Sequence, residues 1–448
     1  MNEPRQHEQW GSNVGFVLAT IGSAVGLGNI WRFAYVTGEN GGAAFLMVYL
    51  GFVLVIGLPL MIAELSLGRS TRRDPVQAFS TLAPGGFWAH AGWVGVLAAV
   101  AILSFYAVIA GWALKYFVGA AGGTLWAAAG GGYGAYFEGF IAASGEPIVW
   151  QGIMLLLAAL VVAAGVNHGI ERASSWLMPL LAAIIIGLAA VALTLPGSAE
   201  GVAFLFEPDW SVLSEPGLYI AALGQAFFSL GIGMAVFVAY GSYLSPSARL
   251  PAGAVAVALG DTIFAMVAGL AIFPAVFALG GDPAAGPQLA FITIPQILLE
   301  TPGGRIVGPV FFFLLTAAAL TSMVSLLDAA SAVARHRLGW SRPRAATLVA
   351  LCIFALGIPS ALSYGVLAEV SFGGSPILDA VDAAASNVAL PLAGLIVALF
   401  LGWRVPRLQA VAAAGLGEGG VGWVWIWLLR FPVPAGIALI LLRSLGWI

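Results

Sequence analysis

Eleven segments of this chain are each apolar over a length that can cross a bilayer: 12–37, 41–68, 88–120, 148–167, 172–195, 217–244, 250–280, 303–336, 343–362, 376–403 and 421–446. In hydrocarbon no water satisfies a backbone amide or carbonyl, so a spanning segment is either a helix or a strand of a closed barrel. Runs of roughly 20 apolar residues fit membrane-crossing helices. The expected fold class is therefore an all-α polytopic membrane protein with about eleven transmembrane helices, forming one domain over 1–448. Composition removes the soluble alternative. Only 8% of the residues are charged and 61% are hydrophobic, whereas a soluble domain carries about 25% charged residues. Lipid must cover most of such a chain.

Arginine placement orients the spans. With the N-terminus in the cytoplasm, Arg5, Arg69, Arg72, Arg73, Arg172, Arg249, Arg335, Arg337, Arg342, Arg344, Arg404 and Arg407 fall inside. The outer segments then carry Glu39, Glu138, Glu146, Glu200, Glu207, Asp209, Glu215, Asp282, Glu300 and Glu369. This matches the positive-inside bias, with Arg305 and Arg443 as exceptions, and an odd span count leaves the C-terminus outside. The polar start MNEPRQHEQW has no cleavage site after it, so the first segment reads as a permanent span rather than a signal peptide. The stretches 119–134 and 196–216 read as outer loops, and 404–421 as an inner loop.

Several functions are disfavoured. The single Cys352 can form neither an internal disulfide nor a cluster, and His7, His90, His168 and His336 show no ligand spacing. No basic stripe suits a nucleic acid. No nucleophile–base pair or nucleotide loop supports an enzyme.

Two spans carry glycine clusters near their middles: Ile21-Gly-Ser-Ala-Val-Gly-Leu-Gly-Asn29 in span 1 and Phe228-Ser-Leu-Gly-Ile-Gly-Met234 in span 6. Glycine costs a helix about 1 kcal/mol relative to alanine, and a break in lipid frees backbone groups that must line a cavity or bind something. Either cluster alone also suits close helix packing. As a pair five spans apart, flanked by Asn29 and Ser229, they point to an inverted-repeat transporter with a midplane site. Freed amides suit a carboxylate and freed carbonyls suit Na⁺.

The motifs then become specific. Trp10-Gly-Ser, Gly15-Phe16, Gly22-Ser-Ala-Val-Gly-Leu-Gly-Asn-Ile-Trp-Arg-Phe33, Glu39-Asn-Gly-Gly42, Pro59-Leu-Met-Ile-Ala-Glu64 and Gly68-Arg69 closely resemble the neurotransmitter:sodium symporter family. Tyr106 with Trp112, Gly224-Gln-Ala-Phe-Phe-Ser229, Tyr240-Gly-Ser-Tyr243, Leu320-Thr-Ser322 and Asp379 to Asp382 continue the match in the family's order. The eleven-span count is similar to the shorter bacterial amino-acid members, which implies an inner-membrane location. The resemblance implies a LeuT-like fold of inverted five-helix repeats, about 12–195 and 217–403, with helices 1 and 6 broken and an extra helix at about 421–446. It implies two Na⁺ sites. The first comprises Ala24, Asn29, Ser229 and Asp261; the second comprises Gly22, Val25, Ala318, Thr321 and Ser322. These are the oxygen donors a hard cation takes. Asp261 is also marked by its position, because an ionisable group in a span is functional by default. The alternative is that it snorkels from the inner end of span 7.

The same resemblance implies a substrate pocket of Ser23, Ala24, Gly26, Ile102, Tyr106, Phe228, Ser229, Gly231, Met234, Ser322 and Leu326. Monoamine carriers place an aspartate at the position of Gly26, so this chain is expected to take an amino acid that supplies its own carboxylate, received by the Tyr106 hydroxyl. Tyr106 could instead be an ordinary packing tyrosine. The apolar walls, the room at Gly231 and the adaptable Met234 lean towards a bulky hydrophobic substrate. Arg32 and Asp382, above Tyr106 and Phe228, resemble an outer gate, and Trp10 and Tyr243 belong to the inner one. The outer charges could also simply sit in a hydrated vestibule. Gly169 and Pro179 in span 5 resemble a pattern that unwinds that helix, with a proline-kinked helix start as the alternative.

Some positions depart from the family. Ala34 follows Phe33 where proline is usual. His7, with Arg5 nearby, replaces the usual inner arginine and suggests pH sensitivity. His336 stands where its acidic partner is expected. Ala265 lacks the polar group of chloride-dependent relatives, so Asp261 is expected to supply the fixed charge and chloride not to be required. A proton-coupled amino-acid permease and a non-transporting sensor remain alternatives. A channel needs a continuous polar path, which these spans do not offer.

Overall fold

The computed structural model describes residues 8–245, 247–284, 290–300 and 303–447. Arg5 and His7 lie outside the described residues. Among those described, nine helices are long and apolar enough to cross a membrane: Ala43–Thr71, Phe87–Gly122, Glu146–Ala163, Val166–Leu193, Leu250–Ala278, Gly304–Leu338, Arg342–Ala361, Ile377–Arg404 and Gly420–Ser444. They correspond to spans 2–5 and 7–11. Span 1 is a bent pair, Asn13–Ala24 and Gly28–Glu39, meeting at 53°. Span 6 is Pro216–Leu230 and Val236–Ser242, neither of which crosses alone. The count of eleven rests on taking that pair as one interrupted span.

Both breaks have local causes. Span 1 leaves the helix at Val25, whose ψ is 103°, and resumes through a π turn at Gly28–Arg32. In span 6, Gly231 and Gly233 have φ of +72° and +81°, a region glycine enters without a Cβ penalty. A Cβ on Gly233 would lie 2.5 Å from the Leu390 carbonyl, so this glycine is required twice over. Ala235 also has positive φ, at +59°.

Spans 3 and 8 form the centre, with 78% and 83% of their most apolar windows buried, whereas span 5 buries 28% and faces outwards. Small residues let backbones meet across spans 2 and 6. A Cβ on Gly68 would stand 2.0 Å from the Val238 carbonyl, and one on Gly241 2.4 Å from that of Leu65. Outward-facing Trp176, Ile306, Leu356 and Leu160 are more than half exposed, as lipid contact allows.

The loops hold more helix than their composition suggests. Ser198–Phe206 lies in the expected outer loop 196–216, Thr124–Ala127 in 119–134, and Arg407–Ala414 in the expected inner loop 404–421. In span 5 the wound helix start, the second of the two readings, is what the structure has. The span starts in a π turn, Val166–Glu171, and then runs helical through Pro179 to Leu193. The Gly169–Pro179 stretch is wound in this conformation.

Candidate functional site

The two breaks face each other, and side chains, all but one from other spans, satisfy their freed backbone groups. The Leu27 amide donates to the Tyr106 hydroxyl at 2.9 Å and the Gly26 amide to Asn29 Oδ1 at 3.0 Å. Gln225 donates to the Gly28 carbonyl at 2.9 Å, and Ser322 to the Ser23 carbonyl at 3.1 Å. In span 6 the Gly233 amide donates to Glu64 at 2.8 Å. Buried backbone groups need such partners.

Around these contacts lies a cavity of about 20 Å³ lined by Ser23, Ala24, Gly26, Gly28, Ile102, Tyr106, Phe228, Gly231, Met234, Val236, Ser322 and Leu326. Of the expected substrate residues it gathers all but Ser229, and it adds Gly28 and Val236. Its size suits about one water, so any larger occupant needs the walls to part. Gly26 is tightly framed: a Cβ there would sit 2.4 Å from Ser322 Oγ and 2.6 Å from the Tyr106 hydroxyl. A Cβ on Gly231 meets nothing within 4 Å.

Three of the four residues expected at the first ion site, Asn29, Ser229 and Asp261, converge. Asn29 Nδ2 donates to Asp261 Oδ1 at 2.7 Å, and Ser229 Oγ donates to Oδ2 at 2.8 Å. Asn29 also reaches Ser229 at 3.1 Å. Asn29, Ser229 and Asp261 are fully buried, and no ion pair among the described residues involves Asp261. A buried carboxylate met only by neutral donors attracts a cation, and Asp261 does not snorkel. Tyr49, absent from the sequence reading, donates to Ser229 at 3.3 Å.

At the second set, Thr321 Oγ1 lies 2.8 Å from the Ala318 carbonyl and 3.5 Å from that of Val25. Gly22 packs on span 5, where a Cβ would approach Met178 Sδ to 3.1 Å. Ser322 turns its hydroxyl to Ser23 and the pocket.

Above the pocket, the Arg32 guanidinium lies 4.6 Å over the Phe228 ring. Asp382 accepts from Ser386 at 2.7 Å, and it forms no ion pair with Arg32 among the described residues. Tyr364, beyond the end of span 9, donates to Asp379 at 2.7 Å. Burial and the neighbouring Asp379 charge push that hydroxyl's pKa up, keeping it a neutral donor.

The end of the bundle that carries Trp10 is closed by a set of side-chain contacts. Trp10 donates from its indole to the Tyr240 carbonyl at 3.1 Å and from its amide to that of Tyr243 at 3.2 Å. Its ring packs edge-on against Tyr240 at 5.0 Å and Tyr243 at 6.0 Å. An acid does stand two turns before position 336 on span 8, at Asp328. Asp328 is fully buried, pairs with Arg342 at 2.5 Å and accepts from Tyr243 at 3.0 Å. Glu8 completes the cluster by pairing with Arg342 and, at 3.0 Å, with Arg335. His336 instead faces Asp74 at 3.3 Å. Asp328 and Glu64, both acids within spans, carried a readable signal. Glu8 and Arg342 gave none.

A model described as the Sodium:neurotransmitter symporter family matches residues 7–133 and 139–407. An uncharacterized sodium-dependent transporter of Bacillus subtilis, YhdH, is 39% identical over 448 residues, covering 98% of each chain. A second uncharacterized sodium-dependent transporter, from Haemophilus influenzae, is 32% identical over 410 residues, covering 89% of this chain and 90% of its own. The crystal structure of MhsT in complex with L-phenylalanine superposes with a TM-score of 0.93 at 52% identity, covering 98% of this chain and 99% of that one.

Proposed function

The chain belongs to the sodium:neurotransmitter symporter family, and on that premise we propose that it couples sodium entry to uptake of a bulky hydrophobic amino acid by alternating access. It is an integral membrane, sodium-dependent transporter with the LeuT-like fold. The observation that carries the amino-acid reading is the frame around Gly26. With Ser322 and Tyr106 hydroxyls 2.4 and 2.6 Å from where a Cβ would be, no acidic side chain fits there, so the substrate brings its own carboxylate. The carboxylate would meet the Tyr106 hydroxyl and lie beside the first ion. Because the Leu27 amide donates to Tyr106, the tyrosine keeps its own proton to donate, and it would turn from Ser322 to the substrate carboxylate.

Sodium is the cargo that pays for uphill uptake. Asn29, Ser229, Asp261 and the Ala24 carbonyl would hold one ion. Thr321, Ser322 and the carbonyls of Gly22, Val25 and Ala318 would hold the second. Asp261 would supply the fixed charge, making chloride unnecessary. Phe228 and Met234 are the movable walls, and the phenylalanine bound by the similar MhsT supports an aromatic or branched side chain. We take spans 1–5 and 6–10 as the inverted repeats, Arg32 with Asp382 as the outer latch and Trp10 with Tyr243 as part of the inner one. The N-terminus is taken as cytoplasmic. Displacement of labelled phenylalanine from purified protein in Na⁺ ranks the substrate. Phenylalanine, tryptophan, tyrosine and leucine should compete strongly and glycine weakly, and the reverse order would refute the bulky-substrate reading.

A further inference from the structure

One carboxylate of span 5 takes the hydrogen bonds at the start of the inner half-helix of span 1. Glu171, the last residue of the π turn Val166–Glu171, accepts from the Gly11 amide at 2.6 Å and from the Ser12 hydroxyl at 2.9 Å. Ser12 is the N-cap of Asn13–Ala24, and its oxygen accepts from the Gly15 amide at 2.8 Å. A hydroxyl donates once and accepts as well, so a continuous chain runs from the carboxylate to the helix N-terminus, where negative charge is favoured. The helix is shaped to admit it: a Cβ on Gly15 would lie 1.9 Å from Glu171 Oε1. Glu171 is 8% exposed, and among the described residues its hydrogen bonds come only from Gly11 and Ser12, with no ion pair.

The surface beneath this contact leads to the ion site. A Cβ on Gly22 would stand 3.1 Å from Met178 Sδ and 3.5 Å from Ser174 Oγ, so span 5 lies directly over the Gly22 face of span 1. If the half-helix swings away, Ser174 and Gly22 meet the cytoplasm together. A carboxylate bonded to one partner in a poorly hydrated place gives two discrete states, clasped or released and hydrated, rather than a gradual slide.

We propose that Glu171 is a positioning residue that clasps the inner half-helix of span 1, and that release of its bonds to Gly11 and Ser12 is the step that opens the second ion site to the cytoplasm. This rests on the alternating-access reading above. The clasp is separate from the Glu8–Arg342–Asp328 cluster, because it holds the helix to span 5 rather than to spans 8 and 9.

The test uses the full chain carrying Cys352→Ser and Ser174→Cys in proteoliposomes, with the labelling rate by a thiol-reactive maleimide read in Na⁺ and in K⁺. Glu171→Gln keeps the shape and removes the charge. Labelling in K⁺ should rise about ten-fold, the factor expected from weakening one charge-assisted bond, and Na⁺ protection should shrink. Ser12→Ala and Gly15→Ala should move the rate the same way, and Ser12→Ala added to Glu171→Gln should add little. If Glu171→Gln does not fold, Ser12→Ala carries the comparison. Variants that label at the parent rate overturn the clasp, even if their melting temperature falls, because a merely structural role predicts that pattern. A parent protein whose labelling ignores Na⁺ refutes the sodium-coupled reading instead, and the K⁺ comparison still decides the clasp.

Discussion

Gly26→Ala is the sharpest substitution the pocket offers. The added Cβ would approach Ser322 Oγ to 2.4 Å and the Tyr106 hydroxyl to 2.6 Å, about 1 Å inside ordinary contact. Neither hydroxyl can retreat freely, since Tyr106 accepts from Leu27 at 2.9 Å and Ser322 donates to Ser23 at 3.1 Å. Overpacking a tight site costs about 1–3 kcal/mol, and disturbing a net hydrogen bond costs about 1 kcal/mol. Together these give about 2–4 kcal/mol, or roughly 30- to 1,000-fold weaker substrate binding. Equilibrium binding of labelled phenylalanine in saturating Na⁺ reads this directly. An unchanged affinity in Gly26→Ala would refute the reasoning that this glycine frames the carboxylate site.

Other outcomes follow from the same geometry. Asp261→Asn removes the buried charge held by Asn29 and Ser229, and the sodium concentration for half-maximal binding should rise more than about ten-fold, read by sodium titration. Arg342→Ala strands the fully buried Asp328; it should cost about 3–5 kcal/mol in thermal unfolding, and Arg342→Met with Asp328→Leu should recover most of it. Glu64→Ala leaves the Gly233 amide without its 2.8 Å acceptor and should lower stability by about 1–3 kcal/mol, measured the same way. Uptake should be unchanged when gluconate replaces chloride, whereas strict loss would remove Asp261 as the fixed charge.

The broken helices were legible because glycine clusters interrupting long apolar runs have few physical uses, and their positions agree with the bends at Val25–Leu27 and Gly231–Ala235. The residues expected at the first ion set and the pocket came from the resemblance; Asn29, Ser229 and Asp261 meet in space, and the expected pocket residues other than Ser229 line one cavity. The closing contacts were harder to read. Asp328 meets Tyr243 and Arg342 through a relation that depends on packing angles rather than spacing. Tyr49 and Gln225 also look like generic span residues until the breaks of spans 1 and 6 bring Ser229 and the Gly28 carbonyl to them. Loop helices such as Arg407–Ala414 escape notice because a short amphipathic turn at a span end carries little periodic signal.

The most direct test of the central claim is accumulation of radiolabelled phenylalanine in proteoliposomes under an inward Na⁺ gradient or with K⁺ in its place, for the natural chain and for Asn29→Ala and Thr321→Ala. The account predicts concentrative uptake in Na⁺, none in K⁺, and loss in both variants. Equal uptake in the two salts would contradict it and favour a proton-coupled permease, and sodium-dependent binding without accumulation would favour a sensor.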